Sequence, residues 1–270
     1  MSAAAQRPED LAPAAAHPRS LQGKVALVTG ASRGIGRAIA RALARDGALV
    51  AVHCNSAREA AEALVAEIAA AGGQALVVQA DLAHADGPCA LLEDLDVQLR
   101  QRLGSPALDI LVNNAGVIKR EPIEAVTPEQ FDLTLTVNLK APFFLIQQAL
   151  PRLREQGRII NISSMGTRAA FPAMAAYAPA KAGLEALTRL LAVQLGPRGI
   201  TVNAVAPGLT DTAMNPLDMA SPAAAQAIAG IALGRLGQPA DIAEVVAFLA
   251  SDAARWVTGQ CIEASGGQRL

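Results

Sequence analysis

The fold is decided by residues 24–36, whose sequence is KVALVTGASRGIG. The first part, residues 24–29, is apolar and rich in β-branched side chains, which predicts a strand buried on both faces. Three glycines follow, and a helical pattern runs over residues 37–46, where Gly47 ends it as a C-cap would. The stretch therefore predicts a strand, a glycine-rich turn and a helix.

The same alternation continues along the chain. Strands are predicted at residues 24–29, 49–53, 75–79, 108–112, 158–162, 200–205 and 260–263. Helices are predicted at residues 37–46, 58–71, 88–103, 138–153 (bent near Pro142), 177–195 and 239–250, and Thr127 and Pro128 look like a helix start. Strands that alternate with helices imply a parallel sheet covered on both faces, and right-handed crossovers make it doubly wound. We expect one α/β domain of Rossmann type with about seven strands over residues 21–270.

Composition excludes several classes of function. The chain has 270 residues, 52% of them hydrophobic, and a formal net charge of −1, so nothing indicates binding to nucleic acid or to an anionic membrane. The three cysteines are widely separated and the three histidines form no cluster, which predicts a reducing compartment and no metal site. Residues 1–20 are rich in Ala and Pro and predict a disordered tail. With no secretory signal and no run of membrane-spanning length, the expected location is the cytoplasm.

The glycine-rich turn predicts a dinucleotide site. Gly30, Gly34 and Gly36 permit close approach of the backbone to a pyrophosphate, and the helix N-terminus offers free N–H groups. The spacing differs from the Gly-x-Gly-x-x-Gly fingerprint, and a bare tight turn is the alternative. The position between the first strand and the first helix favours the binding site.

The end of the second strand indicates which dinucleotide. A carboxylate there would accept hydrogen bonds from the ribose of NAD, but residues 53–56 read His-Cys-Asn-Ser. Arg33 in the turn and Arg58 just beyond are cations that suit a 2′-phosphate, unless both are merely solvated. On this electrostatic ground NADP(H) is favoured over NAD(H).

The single tyrosine stands four residues before a lysine. Residues four apart share a helix face, so Tyr177 and Lys181 would project side by side. A nearby cation stabilises a phenolate and lowers the tyrosine pKa, which would make the phenol a proton donor near neutral pH. Ser164, at the end of an apolar run, offers a hydroxyl partner. The alternative is that the pair are ordinary surface residues of a helix.

With these pieces in order, the chain resembles the short-chain dehydrogenase/reductase family over about residues 21–267. The resemblance is carried by the turn at residues 29–36, Asp81-Leu82, Asn113-Asn114-Ala115-Gly116, Asn138, Ser164, Tyr177-x-x-x-Lys181, and Pro207-Gly208 with Thr212. Residues 233–239 and 258–260 look most like the 3-oxoacyl-(acyl-carrier-protein) reductase branch. Jointly these motifs are highly specific.

The resemblance implies a catalytic group of four residues. Tyr177 would give its proton to the carbonyl oxygen of the substrate, and Ser164 would hydrogen-bond that oxygen while Ser163 faces inward. Lys181 would lower the tyrosine pKa and bind the nicotinamide ribose. Asn138 would sit at a helix irregularity, where its backbone carbonyl holds a water of a proton relay. The alternative for Asn138 is a satisfied polar residue inside a helix.

The resemblance also implies the cofactor contacts. They are Gly30, Ser32, Arg33, Gly34, Ile35, Gly36, Asn55, Ser56, Asp81, Leu82, Asn113, Ala115, Gly116, Tyr177, Lys181, Pro207, Gly208 and Thr212. For Asp81 a turn or helix cap is an equally good interpretation. One departure is Pro179, where the family usually has a small residue; it is tolerated if the helix starts only shortly before Tyr177.

The substrate wall is expected from residues 165–174, the region after Val117, and residues 209–231. Phe171, Met174, Met214, Leu217 and Met219 make these segments apolar, which favours a ketone or acyl carbonyl over a sugar. The first hypothesis is thus an NADPH-dependent reductase of ketones or 3-oxoacyl thioesters. An NAD(P)-dependent alcohol or sugar dehydrogenase and a catalytically silent cofactor-binding protein are the alternatives. The resemblance implies a homotetramer built partly on the helices at residues 138–153 and 177–195.

Overall fold

One parallel sheet of seven strands organises the computed structural model, which describes residues 20–215 and 221–269. The strands are β1 (Val25–Val28), β2 (Leu49–Cys54), β3 (Gln74–Gln79), β4 (Leu108–Asn113), β5 (Leu153–Ile162), β6 (Thr201–Pro207) and β7 (Cys261–Ala264). Their order is β3-β2-β1-β4-β5-β6-β7, and every neighbouring pair is parallel. The predicted tail lies almost wholly outside the described residues.

The helices cover both faces of this sheet. They are α1 (Gly34–Arg45), α2 (Arg58–Ala70), α3 (Gly87–Leu103), α4 (Pro128–Leu135), α5 (Ala141–Ala149), α6 (Tyr177–Leu195), α7 (Pro222–Ala229) and α8 (Pro239–Ala250). A π-helical turn, Thr136–Lys140, joins α4 to α5. The predicted single-domain, doubly wound fold is confirmed.

Side-chain alternation along the strands builds two cores. In β1, Ala26 and Val28 pack on one face with Ile39 of α1 and Val246 of α8. Val25 and Leu27 point to the opposite face, where α3, α5 and α6 supply leucines and alanines. All four residues of β1 are buried, as a central parallel strand requires.

Two boundaries differ from the sequence-based prediction. The long helix predicted to reach residue 153 ends at Ala149, because Pro151 has no N–H with which to continue the helical hydrogen bonds. Leu153 instead begins β5, which pairs with β4 through a register shift near Gln156, a residue with a φ of 60°. Helix α7 was not predicted, because its alanine-rich sequence shows no clear apolar stripe.

The strand order fixes where a ligand can bind. β2 and β3 lie on one side of β1 and β4 to β7 lie on the other, so the loops after β1 and β4 part at the carboxyl ends of these strands and open a crevice. No helix within residues 20–215 and 221–269 is long and apolar enough to cross a membrane.

Candidate active site

A cavity of about 910 Å³ opens at the carboxyl ends of the strands. Seventeen of the eighteen predicted cofactor residues line it; Asn113 does not. Ser164, Tyr177 and Lys181 line the same cavity, so the fold brings the predicted catalytic hydroxyls to the glycine-rich turn.

The glycine-rich turn has the backbone geometry that its sequence predicts. Gly30 and Gly34 have φ values of 63° and 56°, in the left-handed region that favours glycine. A Cβ on Gly36 would lie 2.4 Å from both the Gly30 carbonyl oxygen and the Asn114 side-chain nitrogen. No side chain caps the start of α1 and its first turn holds no acidic residue, so its N–H groups suit an anion.

The turn is braced by two residues to which sequence reasoning gave no role there, Thr29 and Asn114. The Thr29 hydroxyl accepts hydrogen bonds from the Asn114 and Ala115 backbone N–H groups, both at 2.9 Å. The Asn114 side chain donates back to the Thr29 and Gly30 carbonyl oxygens at 2.8 and 3.1 Å. These bonds fix the loop after β1 against the loop after β4.

His53 is a third bracing residue that was missed. Its Nδ1 accepts from the Gly30 N–H at 3.0 Å, and its Nε2 lies 3.1 Å from the Ala80 carbonyl oxygen, to which it donates. Burial lowers the His53 pKa to about 4, so the ring is neutral at pH 7. The ring therefore joins the glycine-rich turn to the end of β3, beside Asp81. One sign of this role was present in the sequence, since His53 is a polar residue near the end of the otherwise apolar strand β2.

Two residues predicted for the cofactor lie elsewhere. Asn113 is buried, and its side chain donates to the Asn161 side chain at 2.9 Å, between β4 and β5. Arg58 pairs with Glu62 at 2.8 Å and does not line the cavity. Arg33 is exposed and does line it. Of the two arginines considered for a 2′-phosphate, only Arg33 lies at the cavity.

Asp81 fits both interpretations that its sequence allowed. It lines the cavity, and its Oδ1 accepts from the Ala83 N–H at 2.9 Å, as a turn cap does. The Asn55 side chain donates to the same oxygen at 3.3 Å. The ends of β2 and β3 are thereby joined at the mouth of the cavity.

Tyr177 is the first residue of α6, which places Pro179 in the first turn, where helix N–H groups have no partner within the helix. The expected late helix start is confirmed. Burial raises the pKa of Tyr177 above its usual value, while a hydrogen bond from Ser164 and the charge of Arg120 partly offset this. The pKa of Tyr177 is therefore raised, not lowered as predicted, since burial outweighs the hydrogen bond from Ser164 and the charge of Arg120.

Lys181 is buried close to the tyrosine, at the wall of the cavity. Its Nζ donates to the Ile162 carbonyl oxygen at 2.7 Å and lies 5.7 Å from the centre of the Tyr177 ring. Burial lowers the Lys181 pKa to about 8, so most molecules still carry a charged Lys181 ammonium at pH 7. The Ser163 hydroxyl points away and donates to Glu185 at 2.6 Å, which agrees with the prediction that Ser163 faces inward.

Asn138 sits in the π-helical turn between α4 and α5 and is buried. Its side chain is satisfied by Val117: Nδ2 donates to the Val117 carbonyl at 2.8 Å, and Oδ1 accepts from the Val117 N–H at 3.3 Å. Pro142, four residues later, has no N–H to donate to the Asn138 carbonyl oxygen. The helix irregularity that the resemblance implied is confirmed.

The far end of the cavity is apolar with two cations. Met165, Phe171, Met174 and Met214 line it, together with Arg120 and Arg269, which sequence reasoning did not single out. Leu217 and Met219, predicted for the same wall, lie outside the described residues.

Known proteins resemble this chain over nearly its full length. A family model described as "Enoyl-(Acyl carrier protein) reductase" matches residues 30–269. An uncharacterized oxidoreductase of Methylorubrum extorquens is 47% identical, covering 92% of this chain and 99% of its own, and the 3-oxoacyl-[acyl-carrier-protein] reductase FabG of Staphylococcus aureus is 44% identical, covering 92% and 98%.

A solved structure matches equally well. The crystal structure of the angucycline C-6 ketoreductase LanV with bound NADP has 48% identity and a TM-score of 0.89, covering 93% of this chain and 97% of its own. Together with the glycine-rich turn and the Tyr177–Lys181 pair, these matches establish that the chain belongs to the short-chain dehydrogenase/reductase family.

Proposed function

We propose that this protein is an NADPH-dependent reductase of ketones or 3-oxoacyl carbonyls, with Tyr177 as the proton donor. The observation that carries the proposal is the convergence of Tyr177, Ser164 and Lys181 on the cavity that the glycine-rich turn also lines. A relative and a structural neighbour support the substrate class, since FabG is named for 3-oxoacyl groups and LanV for a ketone.

The residues present fit a dinucleotide. The first-turn N–H groups of α1 would hold the pyrophosphate, and Asp81 and Leu82 would flank the adenine. Pro207, Gly208 and Thr212 would contact the nicotinamide end. When bound, the cofactor supplies the hydride that reduces the carbonyl carbon.

The phosphorylated cofactor is favoured by charge. Arg33 lines the cavity, and the one carboxylate among the described lining residues, Asp81, is already engaged by Ala83 and Asn55. A guanidinium suits a 2′-phosphate, whereas a carboxylate at the end of β2 would repel it. The bound NADP of LanV is consistent with this choice.

Tyr177 then protonates the substrate. Its raised pKa keeps the phenol protonated at neutral pH, so a proton is available when negative charge develops on the carbonyl oxygen. Ser164, which hydrogen-bonds Tyr177, would hold that oxygen in place. The charge of Lys181 stabilises the phenolate that the transfer leaves behind.

A water held by the Asn138 backbone carbonyl would belong to a relay that returns the proton from solvent. Because Pro142 cannot donate to it, the Asn138 carbonyl oxygen lacks the ordinary helix partner and can hold a water. The Asn138 side chain meanwhile fixes Val117, next to Gly116, where a Cβ would lie 3.6 Å from the Lys181 ammonium. The site would thus connect solvent, Lys181 and Tyr177.

A homotetramer is the proposed assembly. Phe143 and Phe144 of α5, and Leu190 and Val193 of α6, are exposed by 37–81%. They lie on the two helices expected to build the interface, and burying their exposed apolar area would contribute about 25 cal/mol per Å². Light scattering should give four chains, and Val193→Lys should yield smaller species. A monomeric wild type would refute the assembly.

We also propose a cytoplasmic location, supported by three free cysteines in the structure, Cys54, Cys89 and Cys261. Recovery of the native protein mainly from the soluble cytoplasmic fraction would agree, and recovery from a secreted fraction would contradict it.

The function is tested by mixing purified protein with NADPH, then NADH, and a panel of ketones. Consumption of NADPH with ketones, faster than with NADH, is the expected result. Oxidation of alcohols or sugars in preference would favour the dehydrogenase alternative. Cofactor binding with no turnover on any compound would favour the silent protein.

A further inference from the structure

We propose that Arg120 and Arg269 form an anion-binding subsite at the substrate end of the cavity, so that the preferred carbonyl substrate carries a carboxylate or phosphate on an apolar body. This inference rests on the proposed reductase function and adds to it the chemical class of the substrate. It stands on the contacts of the two arginines and on the charges of the residues around them.

Arg120 follows β4 on the loop that carries Gly116 and Val117. The next residue, Glu121, donates its N–H to the Ala173 carbonyl at 3.0 Å, which ties this loop to the segment before Tyr177. The Arg120 guanidinium donates to the neutral Asn215 side chain and is near enough to Tyr177 to influence its ionisation. Its charge is therefore held at the cavity, close to the reacting hydroxyl.

Arg269 reaches the same cavity from the end of the chain. Its guanidinium lies 4.4 Å from the centre of the Phe171 ring and 3.4 Å from the Ala170 carbonyl oxygen. Its backbone N–H donates to the Gly230 carbonyl at 3.0 Å, and the buried Gln268 accepts from the Leu209 N–H at 2.8 Å. The segment is thus fixed, and the cation rests on an aromatic wall.

No carboxylate neutralises these two cations among the residues that line the cavity in the described structure. The acidic residue of the lining, Asp81, belongs to the adenine end. Elsewhere in the described chain, arginines commonly face acids: Arg41 pairs with Glu67 and Arg152 with Asp96. Two arginines that have no acidic partner among the described residues, in a lining that also holds Met165 and Met174, suit an anion attached to an apolar group.

The test uses pairs of aryl ketones that differ only in charge. 4-Acetylbenzoate is compared with its methyl ester, and 4-acetylphenyl phosphate with 4-acetylphenyl methyl ether, with NADPH saturating. We expect wild type to prefer the anion of at least one pair by about tenfold in kcat/KM, as charged hydrogen bonds at a partly open site allow. Which pair shows the preference distinguishes carboxylate from phosphate, and added salt should weaken it.

Variants then assign the preference to the two arginines. Arg120→Gln and Arg269→Gln should each lower the anion-to-neutral ratio severalfold, whereas Arg120→Lys should keep most of it. Because both substrates are compared in the same variant, any effect of the substitution on proton donation by Tyr177 cancels in this ratio. Arg41→Gln, which removes an equal charge from a guanidinium outside the cavity, is the matched control and should leave the ratio unchanged.

The possible results distinguish failure of the anion subsite from failure of the proposed reductase function. If neutral ketones are reduced but no anion is preferred, or if the ratio in both glutamine variants equals that of wild type, the subsite is refuted and the reductase stands. If no ketone of either charge is reduced, the proposed function itself fails.

Discussion

The two ends of the cavity are built in different ways. The cofactor half, from the loops after β1, β2, β3 and β4, is fixed by short hydrogen bonds among buried groups such as Thr29 and His53, exposed by 1% and 2%. The substrate half, residues 117–120, 165–176, 213–215 and 221–231, presents exposed side chains such as Met214, at 48%, on loops and a short helix.

The difference predicts which changes affect cofactor binding and which affect the choice of substrate. The cofactor half depends on the backbone, so a change there should affect every substrate equally. The substrate half depends on side chains that face the open cavity, so a change there should alter preference among substrates and leave cofactor binding alone.

The largest effect is expected in the glycine-rich turn. Gly36→Ala would place a Cβ 2.4 Å from the Gly30 carbonyl oxygen, which is backbone and cannot move aside cheaply. We expect a loss of NADPH affinity of about a hundredfold or more, as for a backbone strain of about 3 kcal/mol. Fluorescence titration measures it.

Gly196→Ala is the matched control for that change. Gly196 has a φ of −52°, and its Cβ would meet nothing within 4 Å. Its NADPH affinity should equal that of wild type. Comparable losses in both variants would mean that the turn is not specially constrained.

Lys181 joins the two halves and gives a prediction on pH. Its pKa is about 8 in the folded protein and 10.5 for a solvated lysine, so the unfolded chain binds more protons between these values and stability rises with pH. From pH 8 to 10 this contributes about 2 kcal/mol to the unfolding free energy of the cofactor-free protein.

Lys181→Met should remove that contribution. Urea titrations at pH 8 and pH 10 give the change in unfolding free energy between these pH values for each protein. The contribution of Lys181 is the change in wild type minus the change in the variant. Equal pH dependence in wild type and variant would show that Lys181 is not desolvated as the structure implies.

Arg33 tests the cofactor choice within the cofactor half. Arg33→Ala should weaken NADPH binding about tenfold through the lost 2′-phosphate contact and leave NADH binding unchanged. Arg58→Ala is the control, because Arg58 pairs with Glu62 away from the cavity. An equal loss for both cofactors in Arg33→Ala would argue against the phosphate contact.

The smallest effect is expected in the substrate half. Met214→Ala removes one flexible apolar side chain from the cavity wall and should change kcat/KM by about threefold for large ketones, and less for small ones. The dissociation constant of NADPH should stay the same. A changed NADPH affinity would show that the two halves are coupled.

The features that the sequence could predict are those that depend on neighbouring residues in the chain. Strands, glycines and the late start of α6 follow from local rules, and Pro179 and Pro142 even indicated where the helices begin or deform. The end of α5 was missed because the apolar pattern runs on past Pro151.

Contacts between distant segments could not be predicted in this way. His53 meets Ala80 and Arg269 meets Phe171 only once the chain has folded, and neither pair has a motif. The direction of the Tyr177 pKa was also missed, since spacing shows the nearby charge of Lys181 but not the extent of burial.

In the proposed mechanism, Tyr177 delivers the proton while the cofactor is held mainly by other groups. The direct measurement is kcat for ketone reduction and the NADPH dissociation constant, both determined for Tyr177→Phe and for wild type. We predict a loss in kcat of about a thousandfold or more, as expected for a lost general acid, with the dissociation constant within about threefold. Retention of more than about a tenth of wild-type kcat would contradict the account.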